Sequence, residues 1–338
     1  MEEKNNYWQA VRGVSILAVV MIHSLGGFDY TNSSCDEFVV LRQIINFAVA
    51  VFVFMAAYFV NTDNMLSEKF NYKDYLYKRG GRLFIPFVLW SMLYTSIAIA
   101  GAIYHGNPVE PLKYFSRFIV GKAAVPFYYI VVLLQLTILT PWLVRTIKAR
   151  GALSKLLWLV TPCYIVYLYI WNFVAGMPPK LYETFFPAWF VFYYIGLRVK
   201  LGMQYKANIL AIVAILIFSC AEAFWLKNNG LNMSFYTSQI TIGSFLYTIA
   251  IIGFLLNESS EKYFNKNLLI NIGNCSYGIF YIHILILMCV SKIIHFDGWL
   301  SYCSSKFIIT SLLSFSIVYL GQMLLEKRKG ILKLIGFV

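Results

Sequence analysis

Long apolar segments separated by short polar loops make up most of the 338-residue chain. A membrane-spanning helix needs about 20 mostly apolar residues. About ten segments fit that requirement, at residues 8–25, 39–60, 83–104, 124–146, 156–174, 185–197, 207–226, 235–256, 268–292 and 307–325. The pattern predicts an all-α integral membrane protein, a polytopic bundle of about ten transmembrane helices. The sixth segment is the shortest, and its Phe186-Pro187 start indicates a broken or tilted helix.

The composition agrees with a membrane protein, because 60% of the residues are hydrophobic and only 13% are charged. Soluble domains are about 45–50% apolar and about 25% charged. An ordinary soluble fold, a disordered chain, a coiled coil and a small disulfide scaffold are therefore excluded. Because no long polar stretch interrupts the apolar segments, we expect one membrane domain over residues 1–338 with no appended soluble domain.

The net charge of +13 resembles that of a nucleic-acid-binding protein until the basic residues are assigned to loops. Of the 28 lysines and arginines, 19 fall on the same side of the predicted bundle as the N-terminus, and seven fall on the opposite side. Cytoplasmic loops carry such an excess of positive charge. We therefore expect a multi-pass protein of the cell membrane with both termini in the cytoplasm, and no nucleic acid is needed as a partner.

Two ionisable residues lie inside the first predicted span, where they are costly unless paired or hydrated. Arg12 and His23 are 11 residues apart, which is about three helical turns, so both lie on one face, about 16 Å apart along the axis. Arg12 is nearer the cytoplasmic end. An anchoring arginine that reaches the interface and a hydrogen-bonded packing histidine are the structural alternatives to a functional role.

The ninth segment contains a second polar group in Ser276, Tyr277 and His283. Ser276 and His283 are seven residues apart and share a helix face. The first and ninth segments run in the same direction, and His23 and His283 lie equally far into them. We therefore expect the two histidines at similar depth. A buried imidazole hydrogen-bonded by Tyr and Ser is the alternative.

The loop before the third segment carries a basic group formed by Lys78, Arg79 and Arg82. Arg79 and Arg82 share a face if the following helix begins early. Two guanidinium groups this close together suit a phosphate, which arginine can bind with two parallel hydrogen bonds. A pair of positively charged anchors on the cytoplasmic side is the alternative.

Three other features leave alternatives open. Glu222, near the end of the seventh segment, is either a site residue or half of an interfacial pair with Lys227. Cys35 and Cys303 both fall in loops on the predicted outer side, where a disulfide is possible in an oxidising compartment. No histidine, cysteine or acidic cluster has the spacing of a zinc site, so we expect no metal.

Taken together, these motifs resemble the acyltransferase 3 family of integral-membrane acyltransferases, and the resemblance runs nearly end to end. Each piece is short, but their order and predicted topology also agree. The matching pieces are Arg12 and His23 in the first span, the Phe-rich residues 51–60, the Arg79 to Arg82 motif with Pro86 following, residues 127–141, and the segment from Ser276 to His283.

The chain departs from the family pattern in two places. The second span of the family usually ends in Ser-Gly, whereas this chain has Ala56-Ala57, which changes only the packing expected there. The fourth-span signature often starts with a histidine, and here Pro126 stands in its place. Any role of that histidine is absent from this chain or is performed by another residue.

The resemblance implies transfer of an acyl group, commonly acetyl, from a cytoplasmic acyl-CoA to a hydroxyl of a cell-surface polysaccharide or its lipid-linked precursor. Acetyl-CoA would be a donor substrate, and no cofactor would be bound. The implied catalytic residues are His23 and His283. The donor-binding residues are Arg12, Lys78, Arg79 and Arg82, and the residues that orient the acceptor are Ser276, Tyr277 and Glu222.

Two other classes of function are compatible with the same pattern. A transporter or flippase for a lipid-linked or polar solute would also have ten spans with a polar stripe, although the chain has no paired repeat with matching broken helices. A non-catalytic membrane partner in a glycan assembly complex is the third class. The sequence does not determine the acyl group, the acceptor, the side of the membrane where transfer occurs or the oligomeric state.

Overall fold

The computed structural model describes residues 2–28, 36–264, 266–295 and 298–337, with side chains described from residue 6 onward. Within these ranges the chain forms 18 α-helices and four short 3₁₀ turns, with no β-strand. The first half contains α1 Glu2–Ser24, α2 Asp36–Ile45, α3 Ala48–Tyr58, α4 Thr62–Leu66, α5 Tyr72–Tyr104, α6 Pro111–Ile119, α7 Tyr128–Ala149, α8 Ala152–Leu156 and α9 Val160–Ala175. The second half contains α10 Phe190–Lys200, α11 Ile209–Asn228, α12 Met233–Tyr236, α13 Ile242–Leu255, α14 Glu261–Phe264, α15 Asn267–Asn274, α16 Ser276–Ile293, α17 Trp299–Leu324 and α18 Lys329–Ile335.

Seven helical segments of the described chain are long and apolar enough to cross a membrane, and an eighth is obtained if one bent pair is counted. The seven are Asp36–Tyr58, Tyr72–Tyr104, Val125–Ala149, Ala152–Ala175, Ile209–Asn228, Ser276–Ile293 and Trp299–Leu324. The all-helical membrane architecture is confirmed, whereas the count of about ten spans is not.

Local features of three segments explain why the structure has fewer candidate spans than the sequence predicts. The first predicted span is a 23-residue helix, α1, but Arg12 and His23 lower its hydrophobicity. The sixth begins with a 3₁₀ turn, Phe186–Ala188, and continues as α10, which has 11 residues and is about 16 Å long. That length is about half of the hydrocarbon thickness of a bilayer. After α13 the chain bends by 88° into the segment that ends with α14.

Helix α1 lies inside the bundle, packed along α15 and against α3, α16 and α17. The crossing of α1 and α15 is a contact between backbones. A Cβ atom on Gly13 would collide with the carbonyl oxygen of Leu269, and one on Gly273 would collide with the carbonyl oxygen of Gln9. Small residues allow helices in membranes to approach this closely. The two glycines therefore set the distance between the helix that carries Arg12 and His23 and the segment that leads to Ser276.

Replacing Gly273 by alanine should push α1 and α15 apart. Overpacking of this kind costs about 1–3 kcal/mol, so we expect a lower thermal unfolding midpoint for the protein in detergent. Gly101→Ala in α5 is the matched control, because no atom lies within 4 Å of the Cβ that it would add. Equal midpoints for the two variants would contradict the proposed backbone contact.

Polar side chains of α2, and of Asn46 directly after it, bind the backbone at residues 236–238. The amide nitrogen of Asn46 donates to the carbonyl oxygens of Thr237 and Ser238 at 3.3 and 3.0 Å. Gln43 donates to the carbonyl of Tyr236 at 3.1 Å, and Arg42 donates to the carbonyl of Thr237 at 3.0 Å. The segment between α12 and α13 is therefore attached to α2 through its backbone carbonyl oxygens.

The C-terminal helix α18 folds back onto α5. The indole nitrogen of Trp90 donates to the carbonyl of Ile335 at 2.9 Å, and its ring stacks on Tyr281 and Phe337 with ring centroids 6.0 and 6.5 Å apart. Trp90 thus links α5, the C-terminal segment and α16. This packing holds α16 at the depth where its polar residues face α1.

Candidate functional site

A cavity of about 820 Å³ runs along α1 and is lined by both Arg12 and His23. Their common exposure to one cavity agrees with the prediction that the two side chains share a helix face. The cavity therefore extends at least the roughly 16 Å that separates them along the axis. Its other walls come from α2, α3, the start of α7, α15 and α16. The end of the cavity beside His23 is called the His23 end below.

His23 and His283 lie side by side, with ring centroids 5.3 Å apart and ring planes at 38°. His23 is half-buried and lines the cavity, whereas His283 is fully buried behind it. Nδ1 of His283 is 2.9 Å from the carbonyl oxygen of Ile279, which can only accept, so Nδ1 carries the proton. Nε2 of His283 has no hydrogen-bond partner in the described chain and keeps a free lone pair.

A tyrosine from another helix fixes the turn that carries His283. The hydroxyl of Tyr94 on α5 donates to the carbonyl oxygen of Tyr281 and accepts from the backbone nitrogen of Leu285, both at 2.9 Å. It therefore binds the backbone two residues before His283 and two residues after it. An inserted side chain of this kind is a recognised cause of local helix distortion. No sequence pattern pointed to Tyr94, because the contact depends on the packing of α5 against α16.

Lys306 supports the loop that follows His23. The tenth predicted segment begins at residue 307, which left Lys306 in the preceding outer loop, but in the structure Lys306 lies within α17 and is only 2% exposed. Its Nζ donates to the carbonyl oxygen of Gly26 at 2.6 Å and lies 4.4 Å from the ring centroid of Tyr302. The buried ammonium thus neutralises the negative end of α1, directly after His23.

Ser276 and Tyr277 line the cavity nearer its Arg12 end, because they begin α16, about two helical turns before His283. The Tyr277 hydroxyl lies 3.1 Å from the carbonyl oxygen of Arg82 and 3.0 Å from the hydroxyl of Tyr281. Arg12 lies over the ring of Phe59, 5.4 Å from its centroid, and contacts the side-chain oxygen of Gln9 at 3.3 Å. This end of the cavity is therefore lined by polar side chains and by the guanidinium group of Arg12.

A second pocket of about 430 Å³ collects the basic residues of the loop and of the first turns of α5. Lys78, Arg79 and Arg82 all line it, together with Lys69, so the structure brings the three sequence candidates together. Arg82 and Lys78 are exposed, whereas Arg79 is half-buried and its Nη2 donates to the carbonyl oxygen of Ala56 at 2.6 Å. Arg79 therefore also ties α5 to α3.

The cavity and the basic pocket share a thin wall. Arg79 lines the pocket and donates to Ala56, which lines the cavity. Likewise Tyr277 lines the cavity, and its hydroxyl contacts the backbone of Arg82, which lines the pocket. A long ligand with an anionic head in the pocket would need to pass only this wall to reach Arg12.

Glu222 is not brought to the site, because it does not line either cavity. Its two oxygens accept from the Tyr169 hydroxyl at 2.5 Å and from the Gly243 backbone nitrogen at 2.7 Å, which joins α9, α11 and α13. It is not an interfacial partner of Lys227 either, since Lys227 pairs with Asp36 at 2.7 Å. The sequence could not show this, because Tyr169 and Gly243 are distant from Glu222 in the chain.

Glu183 is a cavity residue that the sequence analysis missed. It lies in the loop between α9 and α10 and lines the cavity together with His23, Arg42 and Gln239. Burial raises the pKa of the Glu183 carboxyl, while the Tyr182 hydroxyl and the charge of Arg42 lower it. A single acidic residue in an aromatic loop carries no sequence signal, so only the tertiary structure reveals its position.

Two remaining predictions concern cysteines and metals. Cys35 lies outside the described residues, so the structure does not test the disulfide with Cys303 that the sequence allows. Among the residues that the structure describes, no group of three or more histidine, cysteine, aspartate or glutamate side chains could hold a metal ion.

Residues 5–325 match the family model of the acyltransferase 3 family, which is described as an acyltransferase domain. The match covers nearly the whole chain, and the protein therefore belongs to that family of membrane acyltransferases. Comparison with curated proteins and with solved structures gives no significant match.

Proposed function

We propose that this protein is a membrane O-acyltransferase that uses acyl-CoA, with acetyl-CoA as the simplest donor. The acceptor would be a hydroxyl of a cell-surface polysaccharide or of its lipid-linked precursor. The observation that carries the proposal is the arrangement of one cavity. At one end it is lined by the imidazole of His23, which lies beside that of His283. At the other end it adjoins a pocket lined by four cationic side chains.

The basic pocket suits the nucleotide part of CoA. CoA carries several phosphate groups, and Arg82 and Lys78 are exposed to receive them. Arginine binds a phosphate with two parallel hydrogen bonds, and lysine binds it as a point charge. The pocket belongs to residues that the charge distribution assigns to the cytoplasmic side, where acyl-CoA is found. In this proposal the protein lies in the cell membrane with both termini in the cytoplasm.

His23 would act as the general base on the acceptor hydroxyl. A neutral imidazole takes the hydroxyl proton while the oxygen attacks the thioester carbonyl. The new C–O ester bond forms as the C–S bond breaks, and the imidazolium returns its proton to the departing thiolate to give CoA. His283 would position His23 from behind, with Tyr94 fixing its backbone. In an alternative pathway, His23 carries the acyl group transiently before the acceptor hydroxyl takes it, and the overall products are the same.

Arg12 fits donor binding better than contact with the reacting atoms. It is about 16 Å from His23 along α1, so the two side chains cannot touch the same atom while the helix stays straight. Arg12 lies next to the wall shared with the basic pocket, where it would bind a phosphate or an amide oxygen of the donor. Ser276 and Tyr277 lie at the same end and would contact the donor rather than the acceptor.

The direct test measures CoA release by purified protein in lipid nanodiscs, supplied with radiolabelled acetyl-CoA and with membrane glycan from the source cells. We expect label in the glycan and an equal amount of free CoA. Movement of glycan across the bilayer without acyl-CoA would instead identify a flippase. No transfer and no binding of acetyl-CoA would support a non-catalytic partner.

A deletion strain tests the same proposal in cells. Mass spectrometry of its surface glycan should show the loss of the mass of one acetyl group at each modified site. The fragment that loses mass identifies the acceptor. Unchanged glycan masses would contradict the proposal.

A further inference from the structure

We infer that Arg42 is a catalytic residue, whose guanidinium group binds the thioester carbonyl oxygen at the His23 end of the cavity and stabilises the negative charge that develops on it. The inference rests on the proposed function and adds a catalytic residue to it. None of the sequence motifs singled out Arg42, which lies within the second predicted span, residues 39–60. An ionisable residue inside a span is a candidate for function, because its burial in a membrane is costly.

Arg42 is the permanent positive charge that the cavity wall offers near His23. Of the lysines and arginines whose side chains the structure describes, Arg12 and Arg42 are the two that line the cavity. The charge of Arg42 acts on the imidazole of His23, which places it at the His23 end. Arg12 is about 16 Å from His23 along α1, too far to bind a carbonyl group whose attack His23 assists. Arg42 is therefore the arginine that can reach the reacting atoms.

Contacts with the segment after α12 hold the Arg42 side chain in place. The side chain is half-buried, and its Nη2 donates to the carbonyl oxygen of Thr237 at 3.0 Å. Thr237 and Ser238 are themselves bound by the amide nitrogen of Asn46, at 3.3 and 3.0 Å. Because a guanidinium group has five N–H donors, one bond to Thr237 leaves others for a ligand in the cavity. A donor that is already fixed needs no reorganisation when charge develops on the ligand.

Glu183 supplies a counter-charge but does not cancel the positive charge at this end of the cavity. Burial raises the pKa of the Glu183 carboxyl, whereas the nearby charges of Arg42 and Lys122 both lower it. The indole nitrogen of Trp189 donates to the backbone carbonyl of Glu183 at 2.8 Å, which fixes the position of the acidic residue. A partly buried cation is costly without such a partner. Two cations near one carboxylate leave a net positive charge, which favours an anionic transition state.

The chemistry divides between two side chains. When His23 removes the proton of the acceptor hydroxyl, the oxygen attacks the thioester carbon, and the electron pair of the C=O double bond moves onto the carbonyl oxygen. Arg42 binds this oxyanion through charge-assisted hydrogen bonds, which are stronger than neutral ones. The electron pair then re-forms the double bond as the C–S bond breaks, and the thiolate takes the proton from the His23 imidazolium. Arg42 itself neither gains nor loses a proton.

The test measures CoA release by Arg42→Ala, as the full chain in nanodiscs, at saturating acetyl-CoA and membrane glycan. We expect kcat to fall about 100- to 1,000-fold, the usual loss when one oxyanion-binding donor is removed, with an unchanged dissociation constant for acetyl-CoA. Arg42→Lys keeps a positive charge and should retain more activity. Added guanidinium chloride should restore part of the rate of Arg42→Ala, because the vacated space opens onto the cavity. Urea, which is planar but uncharged, should not.

Asn46→Ala is the matched control, because Asn46 binds the same segment as Arg42 but is uncharged and does not line the cavity. It should lower the thermal unfolding midpoint with a much smaller loss of kcat, and guanidinium should not raise its rate. If the wild type transfers acetyl groups but Arg42→Ala keeps its kcat, or if guanidinium and urea act alike on Arg42→Ala, Arg42 is not catalytic and the proposed function stands. If the wild type neither binds acetyl-CoA nor releases CoA, the proposed function itself fails.

Discussion

Replacing His23 by alanine should reduce acyl transfer at least about 100-fold, the usual contribution of a general base. His23 is the imidazole that lines the cavity, and no other histidine of the described chain lines it. Removing it leaves a sugar hydroxyl, a weak nucleophile at neutral pH, without a base. The measurement is the rate of CoA release with acceptor present, in nanodiscs at saturating acetyl-CoA.

Controls separate loss of chemistry from loss of structure. His105→Ala should have no effect, since His105 is exposed after α5 and lines neither cavity. His23→Ala should still insert in the membrane and bind acetyl-CoA with unchanged affinity. Normal transfer by the variant would overturn the assignment of His23 as catalytic. Radiolabel retained on wild-type protein that is supplied with donor alone and separated from it rapidly at neutral pH would distinguish an acyl-histidine intermediate from direct transfer.

Replacing Arg82 by alanine should weaken acetyl-CoA binding by about 10- to 100-fold, because a hydrogen bond to a charged group contributes about 1.5–3 kcal/mol. The structure makes Arg82 a cleaner probe than Arg79. Arg82 is exposed in the basic pocket, whereas Arg79 also donates to the carbonyl of Ala56 and so supports the packing of α5 against α3. The measurement is the dissociation constant of acetyl-CoA by isothermal titration or by filter binding.

Two comparisons test whether contact with the phosphates of CoA explains the loss of affinity in Arg82→Ala. Arg117→Ala removes an equal charge from α6 and should leave the affinity unchanged, because Arg117 lines neither cavity. Acetylpantetheine lacks the nucleotide and its phosphates, so its use as a donor should be the same in the wild type and in Arg82→Ala. If Arg82→Ala binds acetyl-CoA as tightly as the wild type, the basic pocket is not the donor site.

The arrangement separates the two substrates along one helix. The donor would enter through the basic pocket and pass the wall formed by Ala56 and Tyr277, while the acceptor would occupy the His23 end of the cavity. The 11 residues between Arg12 and His23 set this separation at about 16 Å. A donor with an extended arm is therefore needed to bring its reactive end to His23, which is consistent with a carrier such as CoA.

Helical periodicity explains why part of this site could be predicted from the sequence. The common face of Arg12 and His23 follows from 11 residues at 3.6 per turn, which is a property of one helix. The grouping of Lys78, Arg79 and Arg82 follows in the same way from their closeness in the chain. The limits appear in the number of spans. The Phe186-Pro187 pair indicated that the sixth segment is broken, but no sequence pattern indicated the 88° bend after α13.

The amino-acid sequence by itself determined the membrane class, the common face of Arg12 and His23, and the family motifs in their order. Only the tertiary structure decided that His23 and His283 lie 5.3 Å apart, that Glu183 lines the cavity and that Glu222 does not. Lys306 likewise changed from a loop residue to a buried support of α1. The physical reason is that a helix fixes the direction of its side chains locally, whereas distances between helices depend on contacts such as the backbone crossing at Gly13 and Gly273.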